Sequence, residues 1–169
     1  MKPERGDEIL RRFRVSQPHT DYFLTLCAHD RKTGLTDPPV ARALRDEMES
    51  IARAGYWTIR GAVIMPDHLH LLATLHDELP LSRVIARFKS KSRPALAAAG
   101  FQWQGNYYEH RLREGDAADA VLTYIFLNPY RAGIIPASAS YPLFWLGAQE
   151  STWFKPRLDE GKPFPEWLR

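Results

Sequence analysis

The chain has 169 residues, 44% hydrophobic and 25% charged, a composition that fits one globular domain and excludes a wholly disordered chain. It has no apolar run of the ~18–20 residues that a membrane span needs and no apolar secretion signal at its start, so we expect a cytoplasmic protein without a membrane partner. The net charge is only +3, but 17 of the 23 basic residues are arginines, which suit bidentate phosphate contacts.

The chain alternates between segments with strand-like and helix-like hydrophobic spacing. The predicted elements, in chain order, are a basic arm at 1–19, a strand at 22–28, a helix opening at Asp37 and ending at Gly55, strands at 56–65 and 68–75, a helix from Leu79, a strand within 101–113, and a helix over 117–127. Asp116 is the predicted N-cap of this last helix, which should stop near Asn128-Pro129 and no later than Gly133. Residues 136–169 contain five prolines and little periodicity, so we expect irregular structure there.

The element order βαββαβ, followed by a helix, is typical of one α+β domain. It predicts a ferredoxin-like, RRM-like antiparallel sheet with helices on one face and an additional C-terminal helix. The domain would span 1–169, with its core at 20–135. Since this fold carries both enzymes and RNA-binding modules, it does not decide the function.

The strongest candidate for chemistry is the His68-Leu69-His70 segment on the third predicted strand. Side chains at i and i+2 of a strand lie on one face, so both imidazoles should lie together, with Leu69 on the opposite face. Such a pair can bind one divalent metal. The alternative is two histidines on a solvated face, which the apolar residues on either side of the pair disfavour.

A second candidate group lies on the last predicted helix. Tyr124 and Asn128 are four residues apart and therefore share a helix face, where a phenol could act as nucleophile and an amide oxygen could be a third metal ligand. Spacing alone leaves simpler interpretations open. Tyr124 could be an amphipathic core residue, and Asn128 could be a helix C-cap before Pro129.

Both segments resemble the REP-associated tyrosine transposases, a branch of the single-tyrosine HUH transposases. The resemblance depends on the motifs 64–72 (IMPDHLHLL) and 124–133 (YIFLNPYRAG), and similarity continues in order over about 20–142. Asp67 departs from the family, which often has Asn before the first histidine. The sequence after Tyr141 departs from the family's usual ending.

The resemblance implies a function and a set of site residues. His68, His70 and Asn128 would hold Mg²⁺ or Mn²⁺, and Tyr124 would attack the DNA backbone to give a 5′-phosphotyrosine and a free 3′-OH. The expected partners are single-stranded DNA hairpins of the REP type, and the expected oligomeric state is a monomer. Two rivals remain: a catalytically silent hairpin-binding protein of the same fold, and a phosphoesterase that activates water.

Two groups of basic residues are candidates for DNA phosphate contacts. The predicted DNA-binding residues are Arg11, Arg12, Arg14, Arg83, Arg87, Lys89, Lys91 and Arg93. The run in and after the second helix could equally be a solvated helix face. We expect Trp103, Tyr107 and Tyr108 to pack in the core rather than stack on bases.

Overall fold

A computed structural model describes residues 15–169 and shows one five-stranded antiparallel sheet with the order β4-β1-β3-β2-β5. The strands are β1 (Thr20–Cys27), β2 (Trp57–Ile64), β3 (His68–Leu75), β4 (Tyr108–Arg111) and β5 (Phe144–Leu146). The helices are α1 (Pro38–Arg53), α2 (Leu81–Ala98), α3 (Ala118–Arg131) and α4 (Ala148–Phe154). The first four strands have the ferredoxin-like order, so the predicted α+β fold is confirmed.

Helices α1 and α2 cover one face of the sheet. Alternate residues of β1 and β3, such as Leu24 and Leu71, lie on this face and are completely buried. Trp57 and Phe88 fill the space between the sheet and the helices. This layer is the main hydrophobic core, and it is separate from the face that carries His68 and His70.

The opposite face is covered by α3 and by the segment after it. Leu122, Ile125 and Phe126 of α3 pack on Leu72 and Val63 of the sheet, forming a second core. The helix approaches the sheet closely where β2 has a glycine, because a Cβ at Gly61 would clash with the Leu122 side chain.

Helix α3 differs from the predicted helix at both ends. It continues to Arg131, two residues past the predicted stop near Asn128-Pro129, and is followed by Gly133 with φ 69°, so the predicted stop by Gly133 is confirmed. Asp116 is not the N-cap. Its carboxylate instead accepts a hydrogen bond from the backbone N–H of Arg113, and Ala117 occupies the cap position without a side-chain cap.

The segment after residue 135 is more ordered than its composition predicts. It contains β5, which pairs with β2, and the two-turn helix α4, so the expectation of wholly irregular structure is wrong. Arg60 holds this segment to the sheet by ion pairs with Glu150 of α4, at 2.7 Å, and with Asp21 of β1. Thr74 donates to the same Asp21 carboxylate. This buried charge pairing links distant parts of the chain and therefore leaves no local pattern in the sequence.

No helix within residues 15–169 is both long enough and apolar enough to cross a membrane.

Candidate metal centre and nucleophile

His68 and His70 begin strand β3 and project from the sheet face that α3 covers. In the register, His68 lies opposite Cys27 and His70 lies opposite Thr25 of β1, while the intervening Leu69 is buried in the main core. The alternation of strand side chains thus brings the two imidazoles together, as the sequence predicted. Their Nε2 atoms are 3.1 Å apart.

Each imidazole is oriented by a hydrogen bond at its other nitrogen. The Nδ1 of His68 lies 2.7 Å from Oδ1 of Asp67, and a carboxylate there accepts the Nδ1–H. The Nδ1 of His70 lies 2.9 Å from the Thr25 hydroxyl. Because both Nδ1 atoms are occupied, both Nε2 atoms can present lone pairs toward the same point, the usual arrangement of histidines that bind a metal.

The electrostatic environment keeps the two imidazoles neutral. Burial lowers the pKa of His70 to about 3, and the nearby His68 and Arg31 act in the same direction. Burial also lowers the pKa of His68, against the opposing effect of Asp67. Burial opposes ionisation of Asp67, but its hydrogen bonds and charge interactions with His68 and Arg31 leave its pKa below the ordinary value. Neutral imidazole is the form that binds metals.

The spacing of the histidines fits a divalent metal. The two Nε2 atoms are 3.1 Å apart. If each bound a metal at the usual distance of about 2.1 Å, the angle between the two bonds would be roughly 95°, close to the ~90° between neighbouring ligands of an octahedral ion. Among residues 15–169, no group of three or more His, Cys, Asp or Glu side chains is placed to hold a metal.

Tyr124 of α3 lies against this pair. Its ring contacts the His70 ring edge-on at a centroid distance of 5.5 Å and the Phe23 ring at 5.8 Å, while 44% of the residue remains exposed. Its neighbours Ile125 and Phe126 are buried beneath α3. Helical spacing thus directs Tyr124 away from the core and toward the histidines.

Asn128 lies one turn after Tyr124 on α3. Its Nδ2 donates to the backbone carbonyl of Tyr124 at 3.4 Å, and its Oδ1 accepts no hydrogen bond from any of residues 15–169. The side chain is half-buried. It is not a C-cap, because the helix continues to Arg131.

Arg31 was not identified from the sequence, yet it adjoins the histidine pair. Its Nε donates to Oδ2 of Asp67 at 2.7 Å, and its Nη2 is 3.4 Å from Nδ1 of His68. Nothing in the spacing of the chain pairs residue 31 with residue 67. The contact arises because a tight turn, His29–Arg31, folds back over the end of β1.

Tyr108 lies on edge strand β4, opposite Thr25, and thus on the same face as the histidines. It is 57% exposed and contacts Phe23 edge-on, so its expected place in the core is wrong. Trp103 and Tyr107 are half-buried and pack against the main core, as expected.

The predicted DNA contacts are divided between two parts of the chain. Arg11, Arg12 and Arg14 lie outside the described residues. The remaining basic residues lie on α2, across the sheet from Tyr124, and all are exposed except the half-buried Lys89: Arg83, Arg87, Lys89, Lys91 and Arg93. Arg93 lines a cleft with His29 and Lys32, beside the turn that carries Arg31.

Two basic residues of α2 also contact other parts of the protein. The Nζ of Lys89 donates to the carbonyls of Gln104 and Asn106, at 2.7 and 3.0 Å, and so holds the loop before β4. The guanidinium of Arg87 stacks over the Tyr56 ring at 5.5 Å.

The family model described as transposase IS200-like matches residues 16–126, which contain both histidines and Tyr124. The chain belongs to this family. Membership makes it an enzyme of the transposase class, and the resemblance noted from the two motifs is confirmed.

Two relatives have the more specific name of REP-associated tyrosine transposase. One, from Haemophilus influenzae (strain ATCC 51907 / DSM 11121 / KW20 / Rd), is 26% identical over 137 residues, covering 72% of this chain and 76% of the relative. The other, from Escherichia coli (strain K12), is 23% identical over 126 residues, covering 72% of this chain and 73% of the relative. A solved structure of a REP-associated tyrosine transposase bound to a REP hairpin superposes with a TM-score of 0.65 at 23% identity, covering 78% of this chain and 79% of that chain. That likeness supports the fold.

Proposed function

We propose that this transposase-family chain is a metal-dependent endonuclease and strand transferase for single-stranded DNA, with Tyr124 as the nucleophile. The observation that carries the proposal is the contact between the Tyr124 ring and the His70 ring, whose Nε2 faces that of His68 at 3.1 Å. A phenol and two metal-type imidazoles that meet on one sheet face match the needs of phosphodiester cleavage.

His68, His70 and Asn128 would hold the metal, Mg²⁺ or Mn²⁺. Once bound, the ion would neutralise the non-bridging phosphate oxygens and favour departure of the 3′ oxygen. The protein's own contribution is orientation: Asp67 and Thr25 fix the ring nitrogens, and the Phe23 ring supports the nucleophile from one side.

Tyr124 is the only protein group that forms a covalent bond in the proposed chemical step. Its phenol loses a proton to solvent, the Oη–P bond forms, and the P–O3′ bond breaks, leaving a 5′-phosphotyrosine and a 3′ oxygen that takes up a proton. The covalent bond conserves the energy of the phosphodiester, so a 3′-OH can reverse the step and join strands without ATP. Since 44% of Tyr124 is exposed, a DNA strand can approach it from solvent.

The proposed substrate is a single strand beside a REP-type hairpin, and the solved structure with the same fold is bound to a REP hairpin. The proposed contacts to phosphates are the basic residues predicted from the sequence, of which Arg93 shares a cleft with His29 and Lys32 beside the turn that carries Arg31. Lys89 is the exception, because its ammonium group is already used within the protein. We further propose that the enzyme acts as a monomer, which sedimentation of the free protein would test.

The test is the formation of a covalent adduct that resists denaturation. Labelled hairpin DNA with single-stranded flanks, incubated with Mn²⁺, should give an adduct with the wild-type protein and none with His70→Ala, while hairpin affinity changes little. His76→Ala is a matched control, because His76 follows the far end of β3 and bonds to Thr58 instead. Cleavage without an adduct would indicate a water-activating phosphoesterase. Binding without either product would indicate a silent hairpin-binding protein.

A further inference from the structure

The turn after β1 has an unusual backbone beside the proposed active site. Asp30 and Arg31 both have φ of 55°, the left-handed region. This region is unfavourable for residues with a Cβ, and two such residues in succession persist only where surrounding contacts hold them. Here the backbone N–H groups of Arg31 and Lys32 donate to the carbonyls of Ala28 and His29, and the Arg31 side chain adds contacts of its own.

Arg31 is clamped in one orientation. Its Nε donates to Asp67 at 2.7 Å, and its Nη1 donates to Sγ of Cys27 at 2.9 Å. The two acceptors lie at the adjoining ends of β3 and β1, so the guanidinium plane is fixed from two directions. Even so, 55% of the side chain is exposed.

The clamp leaves hydrogen-bonding capacity at the edge of the site. A guanidinium has five N–H groups, and the clamp uses one at Nε and one at Nη1. The Nη2 lies 3.4 Å from Nδ1 of His68, but that nitrogen cannot accept a hydrogen bond while its own N–H is donated to Asp67. Within residues 15–169, the other N–H groups of Arg31 therefore remain available to a ligand.

We propose that Arg31 is a phosphate-binding residue of the active site, which contacts the phosphodiester that Tyr124 attacks or the phosphate next to it. The inference rests on the proposed function, and it assigns a residue that neither histidine motif nor basic run identifies. The guanidinium lies on the Nδ1 side of the His68 ring, so the width of one imidazole ring separates it from the Nε2 atom that faces His70. A pre-oriented guanidinium fits two phosphate oxygens and binds them without first losing side-chain freedom.

A purely structural role makes a different prediction. If Arg31 only positions Asp67 and through it His68, its removal would weaken metal binding and would affect every DNA phosphate equally. If Arg31 binds a phosphate, its removal would leave metal binding intact and would abolish the contribution of one phosphate. The two roles therefore separate in a scan of the DNA backbone.

The experiment uses Tyr124→Phe protein, so that binding is measured without cleavage. Its affinity is determined for hairpin strands that each carry one neutral methylphosphonate, with and without Arg31→Gln. Arg53→Gln on α1 is the matched control, since it removes the same charge from the opposite side of the sheet. We expect Arg31→Gln to weaken binding of the unmodified strand about tenfold, the usual order for one hydrogen-bonded charge interaction.

The decisive result is that Arg31→Gln no longer weakens binding when the methylphosphonate replaces one particular phosphate of the strand. When the methylphosphonate stands at the position that Arg31 contacts, the Arg31→Gln protein should bind the strand no more weakly than the parent protein does. Arg31→Lys should recover part of the affinity for the unmodified strand. Because the partner of Arg31 is DNA, the affinity of the Arg31→Gln protein for Mn²⁺ without DNA should stay within about twofold of the parent value. An unchanged Arg31→Gln penalty at all positions, or a decrease in Mn²⁺ affinity that accounts for the weaker binding, would overturn the proposal. Because binding does not require Tyr124, failure of the adduct assay alone would count against the proposed function and not against this phosphate-binding role.

Discussion

The carboxylate of Asp67 accepts a hydrogen bond from Nδ1 of His68 at 2.7 Å, so the residue before the first histidine fixes which nitrogen of that ring can bind a metal. The same carboxylate receives the guanidinium of Arg31. The two oxygens of Asp67 serve different partners, Oδ1 the His68 ring and Oδ2 the guanidinium. The turn residue is therefore part of the site.

Replacing Asp67 should weaken metal binding. We expect Asp67→Ala to lower Mn²⁺ affinity by about 10–100-fold, the usual cost of removing the group that orients a histidine ligand. Asp67→Asn should cost less, because the amide oxygen can still accept the Nδ1–H. Titration calorimetry with Mn²⁺ checks this. Equal affinities for the wild-type and Asp67→Ala proteins would show that His68 is not oriented through Asp67, or is not a ligand.

A methyl group at Gly61 should force the buried Leu122 side chain to move. A Cβ there would clash with Leu122, so Gly61→Ala should shift α3, destabilise the protein by about 1–3 kcal/mol and reduce cleavage, because Tyr124 lies on the same helix. Gly55→Ala is a useful comparison: nothing lies near its added methyl, so its cost would arise from its positive φ and not from α3. Urea unfolding and the cleavage rate of both variants check this. An unaltered cleavage rate in Gly61→Ala would mean that the nucleophile does not depend on this close approach.

The basic residues of α2 should divide into two classes. Arg87→Gln with Lys91→Gln should reduce affinity for single strands and lower the salt dependence of binding by about 0.7 in slope for each phosphate that is no longer bound. Lys89→Gln should instead lower stability, because its ammonium group bonds the loop carbonyls before β4. Fluorescence titration at several salt concentrations separates these effects. A slope unchanged by the Arg87 and Lys91 substitutions would show that this part of α2 is only a solvated surface.

The metal-free protein should lose stability in mild acid because of His70. Its pKa is about 3 in the folded state and near 6.5 in the unfolded state, so between these values only the unfolded chain takes up the proton. Stability therefore falls as pH falls below 6.5, by about 2 kcal/mol at pH 5 from this residue alone. Urea unfolding in EDTA at pH 7.5 and pH 5 checks this, with His70→Gln as the comparison. His68 contributes in the same direction and remains in both proteins. If the free energy of unfolding of His70→Gln fell as much between pH 7.5 and pH 5 as that of the wild type, the result would contradict a buried, neutral His70.

The sequence predicted the parts of the site that depend on local periodicity. Strand alternation placed His68 and His70 together, and the helix over 117–127 placed Tyr124 and Asn128 on one face, as the structure has them. The helix continues past the predicted stop near Asn128-Pro129 but ends before Gly133, as predicted, and Tyr130 in its last turn is held by hydrogen bonds with Ala139 and Tyr141.

Other parts depend on contacts between distant residues, which periodicity does not record. Arg31 reaches Asp67 through a left-handed turn, and β5 and α4 are held by Arg60 and Glu150. The aromatic composition around Tyr108 favours a core position, but an edge strand of four residues leaves this side chain open to solvent.

The central claim is that Tyr124 is the nucleophile, and the most direct test is mass spectrometry of the peptide–nucleotide adduct formed with Mn²⁺. The comparison that matters is with Tyr108, which is also exposed and also contacts the Phe23 ring. We predict that the nucleotide is attached to the peptide containing Tyr124, that Tyr108→Phe still forms the adduct, and that Tyr124→Phe binds hairpin DNA and Mn²⁺ but forms neither adduct nor cleaved strand. An adduct on Tyr108, or cleavage that persists in Tyr124→Phe, would contradict the assignment of Tyr124.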